Sequence, residues 1–255
     1  MPHSPTKFVL PILSLVFALL LATGTTRADE TPAVVVLKAV PPLHKSIAAF
    51  PQIAAPDSDG AAKRINLALA QLDKKFLEAA AGCGKYNAQR QVETTLAGAR
   101  FLSLVTRDSW FCGAYPDDDR LAMVFDLKSG RPVNWPALLP KSLSIVGTSD
   151  SYFDGTKIGM IGSKKLAKLY RDVVKSNPSA EECDSLLEMS DLTFQAWPDA
   201  AAGGIALHPS DLPHASKVCA ITAVVSTATL RRMGADTALL DDIDIMHARL
   251  SSPRK

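Results

Sequence analysis

The chain has 255 residues, 47% of them hydrophobic and 21% charged, with a formal net charge of +2. A chain of this length buries roughly 70% of its unfolded surface, so its core needs no structural metal, and it can form one domain or two small ones. The near balance of charge excludes electrostatic capture of nucleic acid or anionic lipid as a main activity.

The first 28 residues carry the order of a secretory signal peptide: Lys7, then the apolar run from Phe8 to Ala22, then small residues up to Ala28. The run is signal-length and short of the ~20 residues a spanning helix needs, so cleavage after Ala28 is expected, with an uncleaved anchor as the alternative. No cysteine follows the run, which argues against a lipoprotein anchor. Residues 29–255 retain 26 basic and 26 acidic side chains, because the first 28 hold Lys7, Arg27 and no acid. No later stretch is apolar enough to span a membrane. A periplasmic or secreted location follows.

In chain order, Thr31 to Val40 is β-branched and reads as a strand, ended by Pro41-Pro42. Phe50 to Ile53 is a short extended piece. Asp57 to Ala81 reads as the strongest helix, with Ile65, Leu69, Leu72, Phe76 and Ala80 at helical spacing and Asp57 or Ser58 as its cap. Gln89 to Leu96 and Arg100 to Trp110 make a hairpin around Ala97-Gly98-Ala99. Arg120 to Leu127 is the next strand, with a tight turn over Lys128 to Arg131 and a short return to Trp135. Strands joined by turns pair antiparallel. A break between two portions, if present, falls near 141–157. Lys164 to Lys175 and Ser179 to Met189 read as helices. Leu192 to Trp197, Gly204 to Leu207 and Val218 to Ser226 read as strands, with His208 to Lys217 as a loop. Thr227 to Met233 and Asp236 to Leu250 close the chain as helices. The expected class is α+β, antiparallel sheets packed against amphipathic helices.

Cys83, Cys112, Cys183 and Cys219 all follow the signal segment. In an exported chain they suggest two disulfides, and four cysteines allow three pairings. The expected pairs are Cys83–Cys112 and Cys183–Cys219, each bracketing a connection into a sheet within one half. Each would contribute ~3–4 kcal/mol in the chain-entropy view. Their spacings do not suit zinc, which favours close pairs.

Signatures of nucleophilic catalysis, zinc proteases and phosphate-binding glycine loops are absent. His208 and His214 share the loop HPSDLPH with Asp211, where a metal or acid/base site can form; loop histidines bonding backbone or water are the better expectation. Asp117-Asp118-Asp119 lacks the alternation of a calcium loop and reads as a solvated turn. The basic face of Lys164 to Lys175 reads as wet surface. No catalytic residue, metal ligand or cofactor is assigned. Trp110, Tyr115 and Trp135 are the candidate binding residues: aromatics beside a rigid turn can form a protein-binding or sugar-stacking surface. Adjacent Trp110 and Phe111 point to opposite faces of a strand, so either one is exposed or the strand is covered on both sides.

Several of these stretches carry a resemblance. FPQI, a helix with Ile65-Asn66, FLSL, the turn Cys112-Gly113-Ala114-Tyr115-Pro116 and FDLKSGRPVNW follow in the order of the extracytoplasmic domain of RsiV-type anti-sigma factors. The same domain resembles the non-catalytic N-terminal portion of certain peptidoglycan deacetylases. Tyr115 stands where that family usually has histidine, and Asp126, Leu127, Ser129 and Gly130 match its second turn. Leu212 to Cys219 fits the second half. The likeness covers most of residues 29–255, rests on structural turns, and matches neither a sigma-binding segment nor a deacetylase catalytic portion. It implies an α+β fold on the envelope side and, in RsiV, binding of lysozyme as a protein ligand. The expectation is an exported, non-enzymatic binding protein, its partner a lysozyme-like hydrolase or cell-wall fragments. The alternatives are a cell-wall or carbohydrate hydrolase with dispersed carboxylates, favoured by any pocket that groups two of them, and a purely structural envelope protein.

Overall fold

The computed structural model describes residues 34–56, 58–82, 87–112, 117–147, 150–153, 156–158, 160–175, 183, 191–210 and 212–252, with backbone only at 150–153 and 156–158. Residues from Ala33 to Lys255 group into one unit. Its first long element is α1, Gly60–Gly82. Asp59 caps it, accepting hydrogen bonds from the backbone N–H of Ala61 at 2.9 Å and of Ala62 at 3.0 Å; the expected cap Asp57 lies outside the described residues. Ile65, Leu69, Leu72, Phe76 and Ala80 are buried along one stripe, as the i, i+4, i+7 spacing requires.

That stripe lies on a four-stranded antiparallel meander in chain order: β3 (Ala88–Ala97), β4 (Phe101–Trp110), β5 (Asp117–Asp126) and the short β6 (Arg131–Pro132). Successive side chains of a strand alternate faces, and on β4 both faces are covered. Leu102 and Leu104, with Met123 and Phe125 of β5, pack against Phe50 and the α1 residues Ile65, Leu69 and Leu72. Phe101 and Val105, with Ala122 and Val124, enter the larger core on the other side. Each such Leu, Ile or Phe contributes ~1.5–3 kcal/mol by leaving water. The β5–β6 turn needs Gly130. Its φ is +66°, and a Cβ there would sit 2.5 Å from the carbonyl oxygen of Ala61. Gly130→Ala is expected to cost about 1–3 kcal/mol, read as a lower urea midpoint with an unchanged slope.

The second sheet has five strands in the order β13 (Ala223–Ser226), β12 (Gly204–Ser210), β11 (Thr193–Asp199), β10 (Ile161–Gly162) and β7 (Val146–Gly147), all antiparallel. Its residues Phe194, Ala196, Ile205 and Leu207 share the larger core with the meander. The same core takes side chains from α2 (Trp135–Leu138), α3 (Lys164–Val174), α4 (Thr227–Arg232) and α5 (Thr237–Ser251). Ser163 caps α3 by accepting from the N–H of Leu166 at 2.9 Å, and buried Tyr170 donates to the carbonyl of Ile221 at 2.8 Å. Two small pairings complete the set: β1 (Leu37–Lys38) with β2 (Gln52–Ile53), and β8 (Asp150–Phe153) with β9 (Thr156–Ile158). The antiparallel α+β class is as expected, and among the described residues no helix is long and apolar enough to cross a membrane.

Two local readings change. Among the described residues, the run 34–40 forms a strand only at Leu37 and Lys38, against the two-residue β2; Val35 and Val36 add single backbone bonds to Gly98 and Ala54, and the Val36 side chain is left exposed. The stretch expected as a strand from Val218 begins as a 3₁₀ turn, His214–Cys219, and the strand starts at Ala223. Cys219 in this turn is bonded to Cys183, with Cα atoms 5.5 Å apart, so that expected bridge is present. Cys83 lies outside the described residues, and with it the Cys83–Cys112 pairing; Cys112 is itself disulfide-bonded. The helix expected over Ser179 to Met189 lies almost wholly outside the described residues.

Candidate functional site

The ends of β3, β4 and β5 farthest from the α5 side open into a groove of about 1440 Å³. Its walls come from the C-terminal half of α1, the ends of these strands, the facing part of β11 and β12, and the 3₁₀ turn at His214–Cys219. The acidic triplet is part of this wall; it is largely solvent-exposed as expected, but it lies in a strand and not in a turn. Asp117, Asp118 and Asp119 begin β5 and pair in register with Trp110, Ser109 and Asp108. Lys217 pairs with Asp117, and the Ser109 hydroxyl donates to Asp118.

Strand alternation sorts the charges of β4 and β5 onto two faces. On the α1 face lie Asp108 and, directly across the ladder, Asp119. Arg90 of β3 sits opposite Asp108 on the other side and is almost fully buried. Its Nε donates to Asp108 Oδ1 at 2.9 Å and its Nη2 to Oδ2 at 3.3 Å, while Nη1 donates to Asp73 Oδ1 of α1 at 3.3 Å. The guanidinium lies 3.6 Å from the ring centre of Phe76 and 5.3 Å from that of Phe50. Planar, weakly hydrated arginine suits such a stacked, bidentate position; lysine does not. Asp73 also accepts from the N–H of Phe50 at 3.2 Å. Burial dominates all three acids: it pushes Asp73 up to about 6 and raises Asp108 and Asp119 above the ordinary carboxylate range, against the pull of their cationic and N–H partners. Asp119 keeps solvent-accessible surface, but the concave walls around it strip away much of its hydration, and the nearby charges of Asp108 and Asp117 add to the effect.

On the opposite face Arg107 and Arg120 are paired across the ladder. They look toward a second cross-strand pair, Gln195 of β11 and His208 of β12. Gln195 accepts from the backbone N–H of Ala122 at 3.2 Å, and His208 Nδ1 bonds the Thr222 hydroxyl at 3.0 Å. Burial, then the charge of Arg120, lowers His208 to about 4, so it is neutral at physiological pH.

Of the expected binding residues, Trp110 lines the groove, half-buried, with its ring 4.6 Å from that of Phe76. Tyr115 lies outside the described residues. Trp135 heads α2 and is buried in the larger core; it offers no surface beside Trp110. Phe111, the residue after β4, is an exposed aromatic. His208 and His214 both line the groove, Asp211 lies outside the described residues, and among the described residues no group of three His, Cys, Asp or Glu side chains is placed to hold a metal. Arg90, Arg107, Arg120, Gln195 and Lys217 were not singled out by sequence. Their meaning depends on strand register, and only the like spacing of charges along 107–120 hints at it.

No family model matches the chain, and no curated protein matches it. Among solved structures it is similar to the crystal structure of a DUF3298 family member from Bacteroides fragilis NCTC 9343, at 11% identity and a TM-score of 0.49, over 84% of this chain and 98% of that one.

Proposed function

We propose that the chain is an exported, non-enzymatic binding protein of the cell envelope and that the groove is its recognition surface, for a lysozyme-like hydrolase or for cell-wall fragments. The observation that supports this most is the character of the groove. It is wide and open, charged on both faces of β4 and β5, and flanked by the exposed side chains of Phe111 and Val218. A ring of charge around an apolar edge is how proteins discriminate partners. The signal segment, the disulfide at Cys219 and the resemblance of the turn sequences to RsiV-type domains fit the same reading.

One observation favours the hydrolase alternative: Asp108 and Asp119 face each other in one groove with raised proton affinities, and paired carboxylates at short range are the working unit of retaining glycosidases. Against it, both oxygens of Asp108 are held by Arg90 and the side chain is buried, so it cannot reach a substrate without breaking that pair.

The two readings separate in one set of measurements. Calorimetry against lysozymes and soluble cell-wall fragments should give saturable binding for the wild type. Phe111→Ser with Asp118→Lys should weaken it at least tenfold, the scale of losing one interface anchor. Absence of any binder would remove the binding reading. Release of reducing ends from cell-wall polymer, abolished by Asp119→Asn, would replace it with the hydrolase.

A further inference from the structure

Arg107 and Arg120 occupy directly opposed positions on β4 and β5. Side chains so placed have Cβ atoms about 4.5–5.5 Å apart, and like charges there destabilise the sheet. A fold keeps such a pair only where something offsets the repulsion. Arg107 meets Glu93 at 3.5 Å, an ion pair more than half exposed on both sides, which contributes little. Arg120 is partly buried and makes no ion pair with any described residue. Asp117 is paired with Lys217 and Asp108 with Arg90 on the other face, while Asp118, on the arginines' own face, accepts from the neutral hydroxyl of Ser109 and keeps its charge.

The surrounding groups also present donors. Gln195 uses its carbonyl oxygen on the N–H of Ala122, which leaves its NH₂ as the end available to a ligand. Desolvation first and then the neighbouring Arg107 lower the proton affinity of Arg120, against a smaller opposing pull from Glu93. Burial first and then the charge of Arg120 lower that of His208. The contributions of Arg107 and Arg120 have the sign of a local positive potential that Glu93 offsets only in part.

We propose that Arg107 and Arg120, with the Gln195 amide, form an oxyanion site within the groove that takes a carboxylate or phosphoryl group of the ligand. It rests on reading the groove as a binding surface and adds the chemistry the ligand must carry. Two guanidiniums converging from adjacent strands bind such a group through parallel charge-assisted hydrogen bonds. The bound anion then adds to the weak counter-charge of Glu93, so occupancy stabilises the sheet as well as the complex.

The test uses the oxidised, purified protein and two simple probes, citrate and pyrophosphate, titrated calorimetrically at constant ionic strength against chloride. The wild type should bind at least one of them saturably. Arg107→Gln and Arg120→Gln should each weaken it by roughly tenfold or more, the loss expected for a charged hydrogen bond; Lys141→Gln, outside the groove, should not. Arg120→Gln should melt in chloride no lower than the wild type, because it relieves the like-charge contact. That result separates lost binding from lost folding. Preference for citrate identifies a carboxylate ligand and preference for pyrophosphate a phosphoryl one. Binding of neither probe, or undiminished binding by both arginine variants, overturns the site. If cell-wall fragments or a lysozyme still bind in that case, the groove reading survives without it; probe binding with no envelope partner leaves the oxyanion site and removes the partner.

Discussion

Replacing Asp242 by alanine is expected to lower the free energy of unfolding by about 3–5 kcal/mol. Asp242 lies on α5 and is buried. Its Oδ2 accepts from the backbone N–H of Arg100 and of Phe101, each at 2.8 Å, and Oδ1 accepts from Ala99 at 3.2 Å. One carboxylate thus satisfies three consecutive donors in the β3–β4 turn, from a helix more than 140 residues further along the chain. The approach is close enough to dictate a glycine: a Cβ at position 98 would fall 2.2 Å from Oδ2. Removing the carboxylate orphans three N–H groups, each worth ~1–3 kcal/mol when left unmade in a buried site, and water entering at the turn recovers part of this. Asp242→Asn should fall between, because its NH₂ opposes a donor where the second oxygen stood. Gly98→Ala should be destabilising through the same contact. Urea unfolding measures all three, and a change under 1 kcal/mol for Asp242→Ala would show that the turn holds without the helix.

The contrast between such contacts and the elements they join explains what could be read in advance. Helix α1 was legible because Ile65, Leu69, Leu72 and Phe76 repeat at the period of the structure they form, and the meander was legible because Gly98 and Gly130 mark its turns. The covered strand and an exposed aromatic were both open: Trp110 and Phe111 had to point apart, and the structure half-buries one against Phe76 while exposing the other. The run Val34 to Val36 misled because β-propensity reports a surface that suits pairing and says nothing about whether a partner strand exists. The groove was hidden for a different reason. Arg107 and Arg120, or Asp108 and Asp119, become neighbours only when β4 and β5 pair in a particular register, and a shift of one residue would move every one of them to the other face. Asp117 to Asp119 looked like a hydrated turn because three adjacent acids usually are; here the ladder with β4 and the side chains of Ser109 and Lys217 hold them in a strand. The Cys183–Cys219 disulfide was one of three pairings that the sequence left open and the one expected within its half, whereas the 3₁₀ geometry at Cys219 was not anticipated.

Arg90→Met should be nearly as damaging, and its effect should depend on pH. One guanidinium serves two buried carboxylates, Asp73 and Asp108, and stacks on Phe76. Methionine retains much of the apolar volume but removes the cation, and breaking a buried ionic group from one side costs about 3–5 kcal/mol. The pH dependence follows from the direction of the shifts. Asp73 titrates at about 6 in the folded chain against an ordinary value of 3.8, and Asp108 is raised as well. The folded state therefore holds these protons more tightly than the unfolded chain does. Their contribution to stability is fully present below pH 3.8 and is lost as pH rises toward 6, then stays constant. Without Arg90 both folded values move higher still, because the attraction that opposed desolvation is gone. The losing window then extends above pH 6, so the stability gap between wild type and Arg90→Met should open as pH passes the wild-type folded values, for Asp73 chiefly above pH 6 and on toward pH 8. Adding Asp73→Asn and Asp108→Asn to Arg90→Met removes both uncompensated charges and should recover part of the loss and flatten its pH dependence. Urea unfolding across that range decides it: a gap that is constant with pH would mean that Arg90 acts through packing on Phe50 and Phe76 and not as the counter-ion of two acids.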